Sequence, residues 1–181
     1  MNLSLVSKPY TEIRLNLGCG DDIRKGYVNV DLYGDPDIRL DLNSEHWPWE
    51  NDSVQEVAMY HVLEHLPDTI QVMKELYRIC RGGAKIYIRV PHPRHDDFLS
   101  DPTHARPITL KLLWLFSQRQ CDHWKATKSA NTPLAHIHHV DFEVVEGCYN
   151  VEESWMNKVK SGEITEAQLQ EASVIYCNVI R

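Results

Sequence analysis

The amino-acid sequence predicts an α/β fold, a doubly wound and mostly parallel sheet of about seven strands. Short apolar runs recur along the chain, a clear helical period lies between two of them, and glycine or proline separates the segments. Strands that alternate with helices pair in parallel and are covered on both faces. We therefore expect ligands to bind at the carboxyl ends of the central strands.

Four strands are predicted in the first third of the chain. Ile13–Leu17 alternates apolar and polar residues and ends on Gly18-Cys19-Gly20, as a strand does before a tight turn. Two short extended runs follow at 27–31 and 38–42. A fourth strand is expected at 54–60 and ends before His61.

A helical period begins at Asp68, where apolar residues recur every three or four positions as far as Cys80. Gly82-Gly83 is expected to end this helix, and a buried strand at 85–90 then stops at Pro91. The polar stretch 91–104 that follows is rich in proline, histidine and aspartate, which predicts a loop with a functional role.

Two more helices and two more strands are expected in the second half. The segment 108–118 is apolar nearly all round, so its helix is either deeply buried or covered by a partner, and residues 110–116 are a candidate homodimer face. Thr165 and Gln168 form a capping box for a helix near 165–172. Strands are expected at 142–149 and 174–180, and a loop at 131–139 holds His136, His138 and His139.

Composition narrows the class of protein. The chain has 181 residues, which predicts a single domain over 1–181, and a formal charge of −7, which disfavours nucleic-acid binding. No apolar run is long enough to cross a membrane and no export signal is evident. The five cysteines include no CxxC pair, so we expect reduced thiols and a cytoplasmic protein.

The strand ends suggest a cofactor site. Glycines at 18 and 20 let a ligand lie against the backbone, whose N–H groups then face it. The full dinucleotide fingerprint needs a third glycine where Ile23 stands, which disfavours a nicotinamide cofactor. Asp31 and Asp41 follow strands at the same predicted rim, where a carboxylate suits ribose hydroxyls or an amino group.

The order of these motifs resembles the class I S-adenosylmethionine-dependent methyltransferases, specifically the small type 11 group. The matching segments are LNLGCG at 15–20, GYVNVD at 26–31, the Asp-Leu pair at 41–42, WPWENDS at 47–53, HVLEHL at 61–66 and the run from Gly82-Gly83 to Pro91. The resemblance covers about 13–91, the expected cofactor half, and leaves 92–181 for acceptor-side loops and the last strands. It implies a Rossmann-like fold and S-adenosylmethionine as the cofactor.

The resemblance also implies roles for individual residues. The glycine turn holds the amino-acid end of the cofactor, Asp31 the ribose hydroxyls, and Asp41 with Leu42 borders the adenine. His61 lies beside the methionine portion. Only ten residues separate Gly20 from Asp31, so the first helix is expected to shrink to a turn. The predicted cofactor site comprises Gly18, Cys19, Gly20, Asp31, Leu32, Asp41, Leu42 and His61.

Methyl transfer needs an oriented acceptor and a group that takes up its proton. His61 and His104 are the first candidates for that catalytic role. No spacing selects among the remaining candidates of the loop, which are His92, His95, Asp96, Asp97 and Asp101.

Some relatives carry a Glu-x-x-Glu-His sequence that binds a divalent metal, and here His61 replaces the first glutamate. His61, Glu64 and His65 would share one helical face, with His92, His95 or His104 as a fourth ligand. Family members with HVLEHL commonly use the Glu-His pair to brace the start of the helix instead. The prediction is therefore no bound metal, with a metal as the alternative.

The predicted function is transfer of a methyl group from S-adenosylmethionine to oxygen or nitrogen of a small acceptor, a sugar or another metabolite. A catalytically degenerate cofactor-binding fold that serves as a partner subunit is the alternative. A nucleotide- or NAD-dependent enzyme is the third interpretation, which Ile23 disfavours.

Overall fold

The structure is a computed structural model that describes residues 12–175. These residues form five strands, seven α-helices and one 3-10 turn at Leu63–His65. The strands are β1 (Ile13–Leu17), β2 (Val28–Asp31), β3 (Ile38–Arg39), β4 (Val54–Tyr60) and β5 (Cys80–Arg89). The helices are α1 (Thr69–Ile79), α2 (Asp96–Leu99), α3 (Leu110–Trp114), α4 (Gln118–Ala126), α5 (Leu134–His138), α6 (Glu153–Lys160) and α7 (Glu166–Ile175).

The sheet has the order β3-β2-β1-β4-β5, and every pair of neighbouring strands is parallel. The predicted α/β class with a parallel sheet is confirmed. After β1, the chain places β2 and β3 on one side of it and then β4 and β5 on the other side. That change of direction opens a crevice at the carboxyl ends of β1 and β4.

Five strands are present in the described part of the chain, where about seven were expected. The prediction of a strand at 142–149 is wrong. These residues form no regular secondary structure, and Val145 is 89% exposed. Alternating apolar residues stabilise a strand only when a neighbour pairs with them. Of the strand expected at 174–180, the first two residues lie in α7 and the rest lie outside the described residues.

The hydrophobic core lies on one face of the sheet. Leu15 and Leu17 of β1 are fully buried there, and so are Leu76 and Ile79 of α1. Trp47, from the segment between β3 and β4, is also fully buried in this cluster. Its backbone N–H donates to the Glu75 carboxylate at 2.7 Å, which fixes this segment against α1.

The other face of the sheet has no helix between β1 and β2, so the predicted shortening of the first helix is confirmed. The loop 18–27 lies there instead and is held by a buried amide pair, in which Asn16 donates to Asn29 at 3.0 Å. Asn16 also donates to the Asp22 carbonyl at 2.7 Å, and the Arg24 N–H donates to Asn29 at 2.8 Å. Beyond this loop β5 presents exposed residues such as Tyr87, which is 44% exposed.

The helices differ from expectation mainly at their ends. Asp68 caps α1 by accepting from the Gln71 N–H at 2.9 Å, as predicted, but the helix ends at Ile79 because the chain enters β5 before Gly82. The helix expected at 108–118 is divided into α3 and α4, since Ser117 caps a new helix there. The loops expected at 91–104 and 131–139 contain α2 and α5, and α6 was not expected.

The helix expected near 165–172 is present as α7. Its capping box forms: the Thr165 N–H donates to Gln168 Oε1 at 2.8 Å, and the Gln168 N–H donates back to Thr165 Oγ1 at 3.2 Å. Within residues 12–175 no helix is both long and apolar enough to cross a membrane.

Candidate functional site

The glycine turn after β1 is held against the neighbouring strand β2. The N–H groups of Gly18 and Cys19 both donate to the Val30 carbonyl, at 2.7 and 3.0 Å. Gly18 has a φ of +65°, and a Cβ at this position would lie 2.3 Å from Cγ2 of Val62. Glycine is therefore needed at 18 for its backbone conformation and for the close approach of Val62.

Asp31 links the end of β2 to the same turn. Its Oδ2 accepts from the Gly20 N–H at 2.8 Å, and its Oδ1 accepts from the Tyr33 N–H at 2.9 Å. A carboxylate oxygen can accept more than one hydrogen bond, so both oxygens can also accept from a diol. Leu32 follows with 38% of its surface exposed.

Cys19 is buried within the turn, with 4% of its surface exposed. Burial, followed by the negative charge of Asp31, raises the pKa of its thiol above the ordinary value. A protonated, buried thiol is a poor nucleophile, so Cys19 contributes packing and its backbone to the site.

Asp41 and Leu42 lie at the same rim, beyond the end of β3. The Leu40 N–H donates to the Asp31 carbonyl at 2.9 Å, which brings this segment beside β2. Asp41 is exposed, and its Oδ1 accepts from the backbone and side-chain amides of Asn43 at 2.9 and 3.0 Å. Leu42 is buried and offers an apolar surface.

His61 follows β4 in a backbone conformation that few residues other than glycine adopt. Its φ is +57°, and its N–H donates to the Arg89 carbonyl at 2.8 Å, which holds it at the rim. The imidazole is 52% exposed, with Nδ1 3.5 Å from Glu64 Oε1. Backbone strain of this kind is concentrated at functional sites.

His104 is placed differently from the open position expected of a catalytic base. Its side chain is 7% exposed, and Nδ1 donates to the Phe98 carbonyl at 2.8 Å. The ring stacks on Phe98 at 5.0 Å between centroids and lies 4.6 Å from the ring of His65. The structure therefore joins His104 to the segment after β4, inside the protein.

The other loop candidates are dispersed. His95 Nε2 lies 3.0 Å from Glu152 Oε1, and the ring of His92 packs edge-on against Tyr149 at 5.7 Å. Burial, then the charges of Arg94 and His95, lowers the pKa of His92. Asp96 and Asp97 lie in α2, and Asp101 accepts from Thr103.

The second histidine group lies away from the rim, on α5 and directly after it. His136 Nε2 pairs with Asp122 Oδ1 of α4 at 2.9 Å, which ties the two helices together. Both residues of this pair line a surface pocket, together with Cys121, Trp124 and Pro133 among others, and none of the predicted cofactor or catalytic residues lines it.

One cluster of possible metal ligands was only partly predicted from the sequence. Potential ligand atoms of Glu64, His65 and His104 lie within 4.8 Å of one another, whereas His61 is not part of this group. The sequence indicated Glu64 and His65 together and gave His104 as one of three alternatives. Only the fold selects His104, because the Ala105 N–H donates to the Glu64 carbonyl at 2.7 Å and brings the two segments together.

The parallel sheet has a glycine turn and an acid at the ends of adjacent strands, beside its switch point, where open α/β sheets bind ligands. Residues 15–88 match the family model described as a methyltransferase domain, of type 11. The resemblance to class I S-adenosylmethionine-dependent methyltransferases is thereby confirmed over these residues, and with it S-adenosylmethionine as the cofactor of this domain. A search of curated proteins finds no significant match.

Several solved structures are similar to the chain, and three of them are compared with it below. A SAM-dependent methyltransferase from Archaeoglobus fulgidus is 21% identical with a TM-score of 0.48, over 58% of this chain and 59% of that one. A chain from a complex of the Haloferax volcanii Trm112 methyltransferase activator with a methyltransferase is 18% identical, with a TM-score of 0.37, over 49% and 48%. The YcgJ protein of Bacillus subtilis is 16% identical, with a TM-score of 0.46, over 89% and 75%. The chain thus spans about half to three fifths of the first two proteins, and the functional conclusion depends on the family match.

Proposed function

We propose that this chain transfers a methyl group from S-adenosylmethionine to oxygen or nitrogen of a small acceptor, a sugar or another metabolite. The observation that carries the proposal is Asp31, which holds the glycine turn through the Gly20 N–H while its carboxylate lies at the rim of the sheet. Asp31 thus connects the glycine turn, where the amino-acid end of the cofactor would bind, to the end of β2, where its ribose would bind.

The residues present fit this cofactor. A Cβ at Gly20 would meet no atom within 4 Å, so open space lies beside the turn where the amino-acid end would bind. Asp31 would accept from the ribose hydroxyls, Asp41 from the adenine amino group, and Leu32 and Leu42 would offer apolar contact. Cys19 would contribute its backbone, and His61 would lie beside the methionine portion.

The cofactor supplies an activated methyl group on a sulfonium, which is already a good leaving group. The protein therefore has to orient the acceptor and accept its proton. We propose His61 for this role, since its imidazole is exposed at the rim beside Val62, which contacts the glycine turn. His104 is too buried to reach an acceptor directly, and we do not assign it a proton-transfer role.

The acceptor class is inferred from the net charge of the chain. A net charge of −7 opposes binding of nucleic-acid phosphates, which favours a small acceptor. The test is formation of S-adenosylhomocysteine from S-adenosylmethionine in the presence of pooled sugars, sugar nucleotides and other metabolites. We expect product with a small acceptor from the wild type and none from Asp31→Asn, while Asp35→Asn, an exposed acid of the next turn, keeps activity. Product formed only with RNA or DNA would contradict the proposed acceptor class.

The partner-subunit alternative predicts a different result. A degenerate fold would show no product with any acceptor, yet its partner would remain bound to Asp31→Asn. The Asp31 variant therefore separates an enzyme from an interaction module.

The homodimer through 110–116 stays a prediction. In the structure Phe116 is buried, Leu112 and Leu113 are half-buried against the core, and Trp114 is 38% exposed, so Trp114 is the residue a partner would cover. Sedimentation of the wild type and Trp114→Glu tests it: we expect a dimer that the substitution dissociates, and a wild-type monomer at every concentration would contradict it.

A further inference from the structure

Glu64 has a buried carboxylate that no hydrogen bond within the described part of the chain compensates. The residue is 0% exposed, and neither Oε1 nor Oε2 accepts a hydrogen bond. Nδ1 of His61 lies 3.5 Å from Oε1, on a ring that is half exposed. Burying an ionised carboxylate without partners is very costly, so this position calls for a cation.

Two imidazoles next to Glu64 have their tautomers fixed by hydrogen bonds. Nδ1 of His104 lies 2.8 Å from the Phe98 carbonyl, which can only accept, so this nitrogen carries the proton. Nε2 of His104 therefore carries a lone pair, and the nearby Asp101 Oδ2, 3.9 Å away, is too far to hydrogen-bond it. An imidazole held by a backbone carbonyl in this way is the usual arrangement of a metal-binding histidine.

The tautomer of His65 follows from the two hydrogen bonds of the Thr103 hydroxyl. Thr103 Oγ1 donates its only proton to Asp101 Oδ1 at 2.6 Å, so it must accept from Nδ1 of His65, 2.9 Å away. Nε2 of His65 is then also free to bind a metal.

We propose that Glu64, His65 and His104 bind a divalent transition-metal ion, best suited to zinc. The three offer two imidazole nitrogens and one carboxylate oxygen, with ligand atoms within 4.8 Å of one another. A metal about 2.1 Å from each ligand separates two of them by at most about 4.2 Å, so the set closes by a small inward movement of the side chains. A fourth coordination position remains for water.

The site goes beyond the proposed methyl transfer and does not depend on it. Glu64 is three residues after His61, in the segment between β4 and α1 that approaches the proposed cofactor turn at Val62. Zinc binding would tie this segment to the loop that carries His104.

The experiment uses tag-free protein that is stripped with a chelator, dialysed and titrated with Zn²⁺ by calorimetry. We expect one ion per chain and an affinity that falls by more than about tenfold in Glu64→Gln, His65→Ala and His104→Ala. His136→Gln is the matched control, because His136 also pairs with a carboxylate but lies outside the cluster. Equal binding by wild type and cluster variants, or no stoichiometric binding, would overturn the proposal.

A spectroscopic measurement on the wild type makes the test independent of whether the variants fold. Cobalt in a four-coordinate site with two imidazoles gives strong visible absorption, which we expect to appear at one equivalent and to disappear when zinc is added. Zinc should also raise the unfolding temperature of the wild type but not that of Glu64→Gln, because an ion that binds only the folded state stabilises it. A cobalt spectrum like that of the free ion would overturn the proposal.

Discussion

Gly18 and Val62 are in such close contact that a Cβ on Gly18 would lie 2.3 Å from Cγ2 and 2.8 Å from Cγ1 of Val62. Gly18 follows β1 and Val62 follows β4, so the contact joins the proposed cofactor turn to the segment that carries His61 and Glu64. The two strands are neighbours in the sheet, which makes this contact a direct result of the strand order.

Gly18→Ala should destabilise the protein more than Gly20→Ala. Both positions have a positive φ, but a Cβ at Gly20 meets nothing within 4 Å. We expect about 1–2 kcal/mol from backbone strain at either position and about 1–3 kcal/mol more from the clash at Gly18. Denaturant unfolding measures both variants. Adding Val62→Ala should recover part of the loss at Gly18 only, and equal effects at the two glycines would show that the contact is unimportant.

His61→Gly should raise the unfolding free energy by up to about 1 kcal/mol, because glycine adopts a positive φ without strain. If His61 lies beside the cofactor as proposed, the same variant should bind S-adenosylmethionine several-fold more weakly. His139→Gly is the control, since His139 has a φ of +55° and ends α5 away from the rim. It should gain stability with no change in affinity. A His61 variant that keeps full affinity would remove His61 from the cofactor site.

Asn29→Ala should cost about 2–3 kcal/mol of unfolding free energy. Asn29 is buried and accepts from Asn16 and from the Arg24 N–H, so its loss leaves buried donors unpaired. Asn43→Ala, at an exposed amide that bonds Asp41, serves as the control and should have little effect. Chemical denaturation checks both, and similar stabilities would mean that the loop 18–27 is held by other contacts.

Glu75→Gln should lower stability by about 2 kcal/mol near neutral pH and by less in acid. Burial alone would raise the pKa of Glu75, but hydrogen bonds from Arg78 and the Trp47 N–H lower it below its ordinary value of 4.5 on balance. A lowered pKa in the folded state contributes stability above about pH 4.5 that is lost as the pH falls through the folded pKa. Thermal unfolding between about pH 3 and pH 7 should therefore show the two proteins converging in acid. Glu143→Gln, whose ion pair with Arg119 is exposed, should show no such dependence.

The sequence predicted the strands that have both a buried pattern and a neighbour to pair with. The sequence patterns of β1, β2 and β4 therefore agreed with the structure, whereas 142–149 had apolar residues without a pairing partner. Helix boundaries failed where a local cap competed with an apolar run, as Ser117 does inside the stretch 108–118. The short spacing from Gly20 to Asp31 correctly predicted the loss of the first helix, because ten residues cannot hold a helix and a strand.

Less of the candidate site than of the fold could be predicted from the sequence. The glycine turn and Asp31 follow strands, so strand order alone places them together. His104 is 40 positions from Glu64, and only the backbone hydrogen bond from Ala105 to Glu64 shows that the two segments meet. The burial of the Glu64 carboxylate is likewise a property of the packed structure, and no pattern in the sequence reports it.

The most direct test of the account is calorimetric titration of the wild-type protein with S-adenosylmethionine and S-adenosylhomocysteine, with NAD as the control ligand. We expect saturable binding of the first two, none of NAD, and a loss of affinity of about tenfold or more in Asp31→Asn. Binding of NAD, or of none of the three ligands, would contradict the proposal that the Gly18–Gly20 turn and Asp31 form the cofactor site.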